Sequence, residues 1–268
     1  MDEGSRFFDP DSGEPQVHIE LRQDGAGFRM LRRIAYRDPT YGVLAGPVDV
    51  EHFRTDLASV PWVFAWLVPG LGTHLPAVLL HDMLVLKPGE EPAHEGPPVD
   101  RVEADRILRE AMGSLGTPVI RRWIMWAAVS FATCVAERAR RPWRAAVAVA
   151  TVLVIVVLGV LATLDVVDAV DVLPWMGDRP WWAELVWGGA FALLVPAVLS
   201  LLWGRLRAAG LILGIGLAGL LHVTLTVVAV YGLYRAAEAV ASRSEGGGDA
   251  RVNLARSVPP APAATAPS

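Results

Sequence analysis

The 268-residue chain is 53% apolar, above the about 45–50% that is usual for globular proteins, and its formal net charge is −4. This near-balanced charge gives no electrostatic basis for binding nucleic acid, and a single cysteine, Cys134, excludes an internal disulfide and a cysteine metal cluster. Residues 1–144 contain 20 of the 28 acidic and 17 of the 24 basic residues. The composition therefore predicts a globular half followed by a membrane-like half.

The first half begins with turn formers and short apolar runs. Residues 1–16 are rich in Asp, Gly and Pro and are expected to form a flexible arm. Val17 to Leu21 alternates apolar and polar residues, Asp24-Gly25 marks a turn, and Gly27 to Tyr36 supplies a partner strand. This pattern predicts a small antiparallel sheet at the start of an α+β domain that spans residues 17–140.

Helical patterns complete this domain. Leu75 to Leu86 is apolar on nearly every face, which is typical of a helix buried all round. Asp100 with Glu103 forms a capping-box pattern, and the helix that it opens is expected to end near Gly113 or Gly116.

A carboxylate interrupts the apolar stripe of the helix that follows Asp100. Asp105 falls on the stripe formed at helical spacing by Val102, Leu108, Met112 and Leu115. A buried ionised carboxylate without a partner is costly, so it must be paired, hydrogen-bonded or bound to a metal. Asp105 is therefore expected to face inward and to have a polar partner.

The segment from Pro118 to Ala136 is expected to be a further helix. Its apolar centre, Trp123 to Ala136, has about 14 residues, fewer than the ~20 that cross a bilayer. Its tryptophans and flanking arginines suit a position at the membrane surface, and packing in the globular core is the alternative. Whether residues 118–136 lie on or in the membrane stays open at this point.

Three later segments are long and apolar enough to be transmembrane helices: residues 145–164, 183–203 and 208–234. Arginines precede the first and separate the last two, whereas the loop between the first two is acidic. The positive-inside rule then predicts a multi-pass protein of the cell membrane, with residues 1–144 in the cytoplasm and the C-terminus outside. Arg235 and Arg243 argue mildly against this orientation.

Two further expectations concern the C-terminal half. Gly210 and Gly214 are four residues apart, a spacing that permits close helix approach, and a homo-oligomer through these glycines is one expectation. The tail over residues 242–268, rich in Gly, Pro and Ala, is expected to be disordered. Apart from the lipid bilayer, the sequence indicates no partner.

The candidate site consists of polar residues between apolar segments of the globular half: Asp56, Ser59, His81, Asp82 and Asp105. One reading is a structural hydrogen-bond network, in which Asp105 accepts from His81. A second is a divalent-metal site, Zn, Mn or Fe(II), with Asp56, His81 and Asp105 as ligands. A third is nucleophilic catalysis by Ser59, with His81 as the base and Asp105 orienting it. A fourth is ligand binding without chemistry.

Three motifs that contain these residues resemble a known family. They are Phe53-x-Thr55-Asp56-x-Ala58-Ser59-x-Pro61, Ala77-Val78-Leu79-Leu80-His81-Asp82 and Ala104-Asp105-Arg106-Ile107. In this order and spacing they resemble the small bacterial and phage family called domain of unknown function 1353, over about residues 17–136. Leu57, where the family often has glycine, and Met83-Leu84-Val85 depart from the pattern.

The resemblance implies a phage or prophage connection and a single constellation for the five polar residues, but it implies no activity. Two hypotheses follow. The first is a membrane-anchored protein with a cytoplasmic domain, whose polar cluster is a structural network or a metal-dependent, hydrolytic site. The second is a non-enzymatic, phage-derived membrane protein that acts in assembly or in recruiting a partner.

Overall fold

The computed structural model describes residues 6–15, 17–24, 27–55, 72–85, 93–166 and 168–256. The chain divides into two units, residues 1–221 and residues 222–268. In these described ranges, the first unit contains the sheets, five α-helices and the start of a sixth. The second holds the rest of the sixth helix.

Two three-stranded antiparallel sheets form the N-terminal part. In one, β2 (Leu21–Asp24) and β3 (Gly27–Met30) form a hairpin about the predicted turn, and β6 (Arg54–Thr55) pairs with β3. In the other, β4 (Ile34–Asp38) lies between β1 (Phe7–Phe8) and β5 (Gly42–Gly46). The predicted α+β class is confirmed, with two small sheets in place of one.

β1 lies within residues 1–16, the segment that is expected to form a flexible arm. Phe7 is buried beside Tyr36, with ring centroids 4.9 Å apart, and Phe8 packs on the opposite side of the strand with Ala35 and Ala45. Because successive strand residues point to opposite faces, two adjacent phenylalanines fill two apolar sites at once. Burial of these rings holds the strand against β4. The sequence did not predict this strand, because turn-forming residues surround the two phenylalanines.

The first three helices among the described residues are α1 (Leu75–Leu84), α2 (Arg101–Ser114) and α3 (Val119–Ala136). The predicted cap of α2 is confirmed, since Asp100 Oδ1 accepts a hydrogen bond from the Glu103 amide at 2.9 Å. α1 and α2 pack on the sheets around one apolar core. Its largest fully buried side chains are Phe7, Met30, Ile34, Tyr36, Leu44, Leu79, Leu80, Met83, Leu84, Ile107, Leu108 and Met112.

α3 joins this core to a second one. Met125 belongs to the first core, whereas Trp126, Ala127 and Cys134 belong to a second that continues into α4 (Pro142–Val166). With the 3-10 turn that follows it, α3 forms a segment, Val119–Ala139, that is long and apolar enough to cross a membrane. The apolar centre counted in the sequence, Trp123 to Ala136, is too short to cross a bilayer because it omits the first turn of α3 and the 3-10 turn after it.

Three helical segments in the described ranges meet this length and composition: Val119–Ala139, Pro142–Val166 and Trp181–Leu221. The third contains α5 (Trp181–Ser200), a 3-10 segment (Leu201–Leu206) and the start of α6 (Arg207–Arg256). Gly204 has φ 57° and ψ −119° and interrupts the helical backbone there. The break lies between the second and third predicted spans, beside two arginines.

Glycines at the start of α6 make close contacts within the chain. A Cβ at Gly210 would lie 2.6 Å from the Trp203 ring, and one at Gly214 would lie 2.7 Å from Pro196. The Trp203 indole N–H donates to the Thr151 hydroxyl of α4 at 3.1 Å. These contacts within one chain explain why residues 210 and 214 are glycines. Association of two copies of the chain through these glycines stays a prediction.

In the C-terminal unit, α6 continues to Arg256. The disordered tail expected over residues 242–268 overlaps the end of this helix and stays a prediction. Pro259, the first proline of the tail, comes three residues after the helix ends, so no proline interrupts this stretch. Residues 257–268 lie outside the described ranges.

Candidate functional site

His81 and Asp82 lie in the last turns of α1 and bind partners on different elements. His81 Nε2 is 2.9 Å from Asp105 Oδ1 on α2, and the Thr55 hydroxyl of β6 donates to Asp82 Oδ2 at 2.5 Å. Consecutive residues on a helix point about 100° apart, which is why the two side chains separate. The resulting pairs join α1 to α2 and α1 to β6.

Asp105 faces inward, as the helical stripe predicted. Its side chain is completely buried, whereas the His81 side chain is 14% exposed. Within the described ranges, Asp105 Oδ2 is buried and accepts no hydrogen bond. The pair thus has a buried carboxylate behind an imidazole that solvent reaches, an arrangement that fixes the orientation of the ring.

A second buried carboxylate binds the residue after Asp105. Asp38, at the end of β4, has no exposed side-chain surface, and both of its oxygens lie 3.2 Å from Arg106 NH2. Oδ1 also accepts from the amides of Thr40 and Tyr41 at 2.9 and 3.0 Å. Burial alone would raise the pKa of Asp38, but hydrogen bonds from Arg106 and these amides outweigh it and lower the pKa.

Arg106 completes an ion network on the outer side of α2. Its Nε and NH1 donate to Glu103 at 2.7 Å and to Glu110 at 2.9 Å, one turn to either side. Burial opposes the charge of the guanidinium, but these three carboxylates together raise the pKa of Arg106 above its ordinary value. Sequence reasoning missed Asp38–Arg106, although Arg106 stood beside Asp105 in the motif.

The remaining predicted site residues, Asp56 and Ser59, lie outside the described residues. Their neighbour Thr55 is buried and bonded to Asp82. In the part of the chain that the structure describes, no group of three His, Cys, Asp or Glu side chains has the arrangement of a metal site. Of the predicted ligands, the described pair is His81 with Asp105, and the question of a third donor rests on Asp56.

The fold defines a class: a small α+β domain, with its motif residues paired across α1, α2 and the sheets, followed by helices of membrane type. Residues 28–129 match the model of the family described as "Protein of unknown function (DUF1353)", so this part of the chain is similar to that family. No curated protein matches the chain, and no solved structure does. The resemblance inferred from three motifs is thereby confirmed, while a bacterial or phage origin stays a prediction.

Proposed function

We propose that this is a membrane-anchored protein whose cytoplasmic domain binds a divalent cation at His81 and Asp105 and uses it in a hydrolytic reaction. The observation that supports the proposal is the state of the Asp105 carboxylate. One oxygen is 2.9 Å from the imidazole, and the other is buried without a hydrogen-bond donor among the described residues. A buried carboxylate oxygen without a hydrogen-bond donor is energetically costly, and a bound cation would remove that cost.

The donor types suit zinc or manganese, since imidazole and carboxylate bind both metals. Two donors are fewer than the three protein ligands of a catalytic zinc site. Asp56 is the third candidate, because it follows Thr55, whose hydroxyl is bonded to the neighbour of His81. A cation held there would lower the pKa of a bound water and supply hydroxide for hydrolysis.

The second candidate function is non-enzymatic: a phage- or prophage-derived membrane protein that acts in assembly or in recruiting a partner. It is favoured by the way the polar pairs connect elements. Thr55–Asp82 joins β6 to α1, His81–Asp105 joins α1 to α2, and Asp38–Arg106 joins β4 to α2. On this reading the pairs hold the domain together and take no part in chemistry.

Metal analysis of the purified full chain in detergent separates the two. The proposal expects bound zinc or manganese and a lower melting temperature after chelation. It also expects that His81→Ala and Asp105→Asn lose the metal, whereas Asp38→Asn retains it even though it melts at a lower temperature. A metal-free wild-type chain whose melting temperature does not respond to a chelator would refute the metal site and favour the structural network.

A further inference from the structure

A polar surface cavity of about 340 Å³ lies where α2 ends and α3 begins, and the described candidate site residues, His81, Asp82 and Asp105, do not line it. Its lining residues are Arg6, Glu110, Gly113, Ser114 and Arg122. The two arginines come from opposite ends of the globular domain in sequence. Arg6 precedes β1, and Arg122 belongs to the first turn of α3. Packing of the N-terminal segment therefore brings two guanidinium groups to one cavity.

Arg122 has an incomplete set of partners. Its Nε is buried, and among the described residues this nitrogen has no hydrogen-bond acceptor. Its NH1 lies directly over Gly113, at the place where any side chain would put a Cβ. A glycine at this position thus provides the space in which the guanidinium rests. A buried cationic donor that lacks an acceptor indicates an anionic ligand.

The acidic residue of the lining, Glu110, pairs with arginines that do not line the cavity. Glu110 accepts from Arg106 NH1 at 2.9 Å and lies 3.9 Å from Arg109, so its carboxylate is already paired. Arg6 donates to the Tyr36 hydroxyl at 3.5 Å, a contact that holds its side chain over α2 and β4. The Ser114 hydroxyl donates to the Ala111 carbonyl at 2.8 Å, so the two guanidinium groups are the donors that the cavity offers to a ligand.

We propose that this cavity binds a phosphate group, that of an anionic phospholipid. Guanidinium groups match the geometry of phosphate oxygens and form charge-assisted hydrogen bonds with them. The adjoining first turn of α3 exposes Val119 and Ile120, which are 58% and 76% accessible. Apolar and basic residues together at the start of an apolar helix suit the headgroup layer, whether α3 crosses the membrane or lies on it.

The test uses the full chain in a non-ionic detergent, titrated with inorganic phosphate, and the same chain in phosphatidylcholine vesicles with and without phosphatidylglycerol. Arg122→Gln is expected to weaken phosphate binding by about 10-fold, the size of one charge-assisted hydrogen bond. Gly113→Ala should weaken it too, because its Cβ displaces the guanidinium at unchanged charge. Alanine also favours the helix, so this variant is expected to fold.

Arg121→Gln is the matched control, since it removes the same charge one residue away from the cavity lining. Preference for phosphatidylglycerol that is lost in Arg122→Gln and kept in Arg121→Gln supports the lipid. Phosphate binding without lipid preference supports the site with a soluble phosphate compound as its ligand. The proposal is overturned if the wild type binds neither probe, or if both arginine variants weaken binding equally.

Discussion

Replacement of Asp38 by asparagine tests the link between β4 and α2. The amide retains one acceptor oxygen for the amides of Thr40 and Tyr41, but it turns an N–H₂ group toward Arg106. The guanidinium can keep its contact with Oδ1, but its 3.2 Å contact at the Oδ2 position is lost together with the carboxylate charge. Loss of a charge-assisted bond at a fully buried carboxylate lowers the free energy of unfolding by about 2–3 kcal/mol. Removal of one partner from an isolated buried ion pair would cost more, but Arg106 keeps two other carboxylates.

The assay is thermal unfolding of the full chain in detergent, followed by tryptophan fluorescence. A loss of this size lowers the melting temperature of a domain of this length by about 10 °C. Glu103→Gln is the matched control, because it removes another carboxylate from the same arginine at a partly exposed position. It is expected to cost about 0.5 kcal/mol, as exposed ion pairs do.

The pH dependence gives a second readout. The pKa of Asp38 is lower in the folded protein than its unfolded value of about 3.9. The stabilisation is therefore complete above the unfolded pKa and is lost as the pH falls through the folded pKa. The stability difference between wild type and Asp38→Asn should be largest near neutral pH and should shrink in acid. A difference that grows in acid, or equal effects of Asp38→Asn and Glu103→Gln, would refute this reasoning.

Three further predictions concern other parts of the chain. Thr55→Val keeps the side-chain shape but removes the donor to Asp82, so the melting curve should show a loss of about 1–3 kcal/mol; an unchanged midpoint would contradict the contact. Gly210→Ala places a Cβ against the Trp203 ring and should lower the yield of folded protein in gel filtration, whereas full yield would argue against this packing. A cysteine at the exposed position Ser12 should resist an impermeant thiol reagent added to intact cells, and labelling there would contradict a cytoplasmic N-terminal domain.

Local patterns predicted the elements that depend on neighbouring residues. The capping box located the start of α2, the turn at Asp24 located the hairpin, and the helical spacing placed Asp105 inside the core. The pairing of His81 with Asp105 followed from their burial, because two polar groups in apolar surroundings have few partners to choose from. These inferences needed only periodicity and the cost of burying charge.

Contacts between distant segments were harder to predict. The Phe7–Phe8 strand pairs with β4, and its short length gives no period-2 pattern to detect. Asp38 and Arg106 are 68 positions apart in the sequence, so no local pattern links them. In the sequence alone, Asp38 is explained by the turn that it precedes, and Arg106 by a position on a helix surface. Asp82 was grouped with the candidate site residues, but the direction in which its side chain leaves α1 takes it to Thr55.

The most direct test of the proposed centre is a crystal structure of the full chain grown with manganese, with anomalous scattering used to locate the metal. The proposal predicts an anomalous peak about 2.0–2.2 Å from a ring nitrogen of His81 and from an Asp105 oxygen. Asp105→Asn crystals grown in the same way should lack that peak. A wild-type map without a peak at these residues would contradict the proposal and leave the His81–Asp105 pair as a structural bond between α1 and α2.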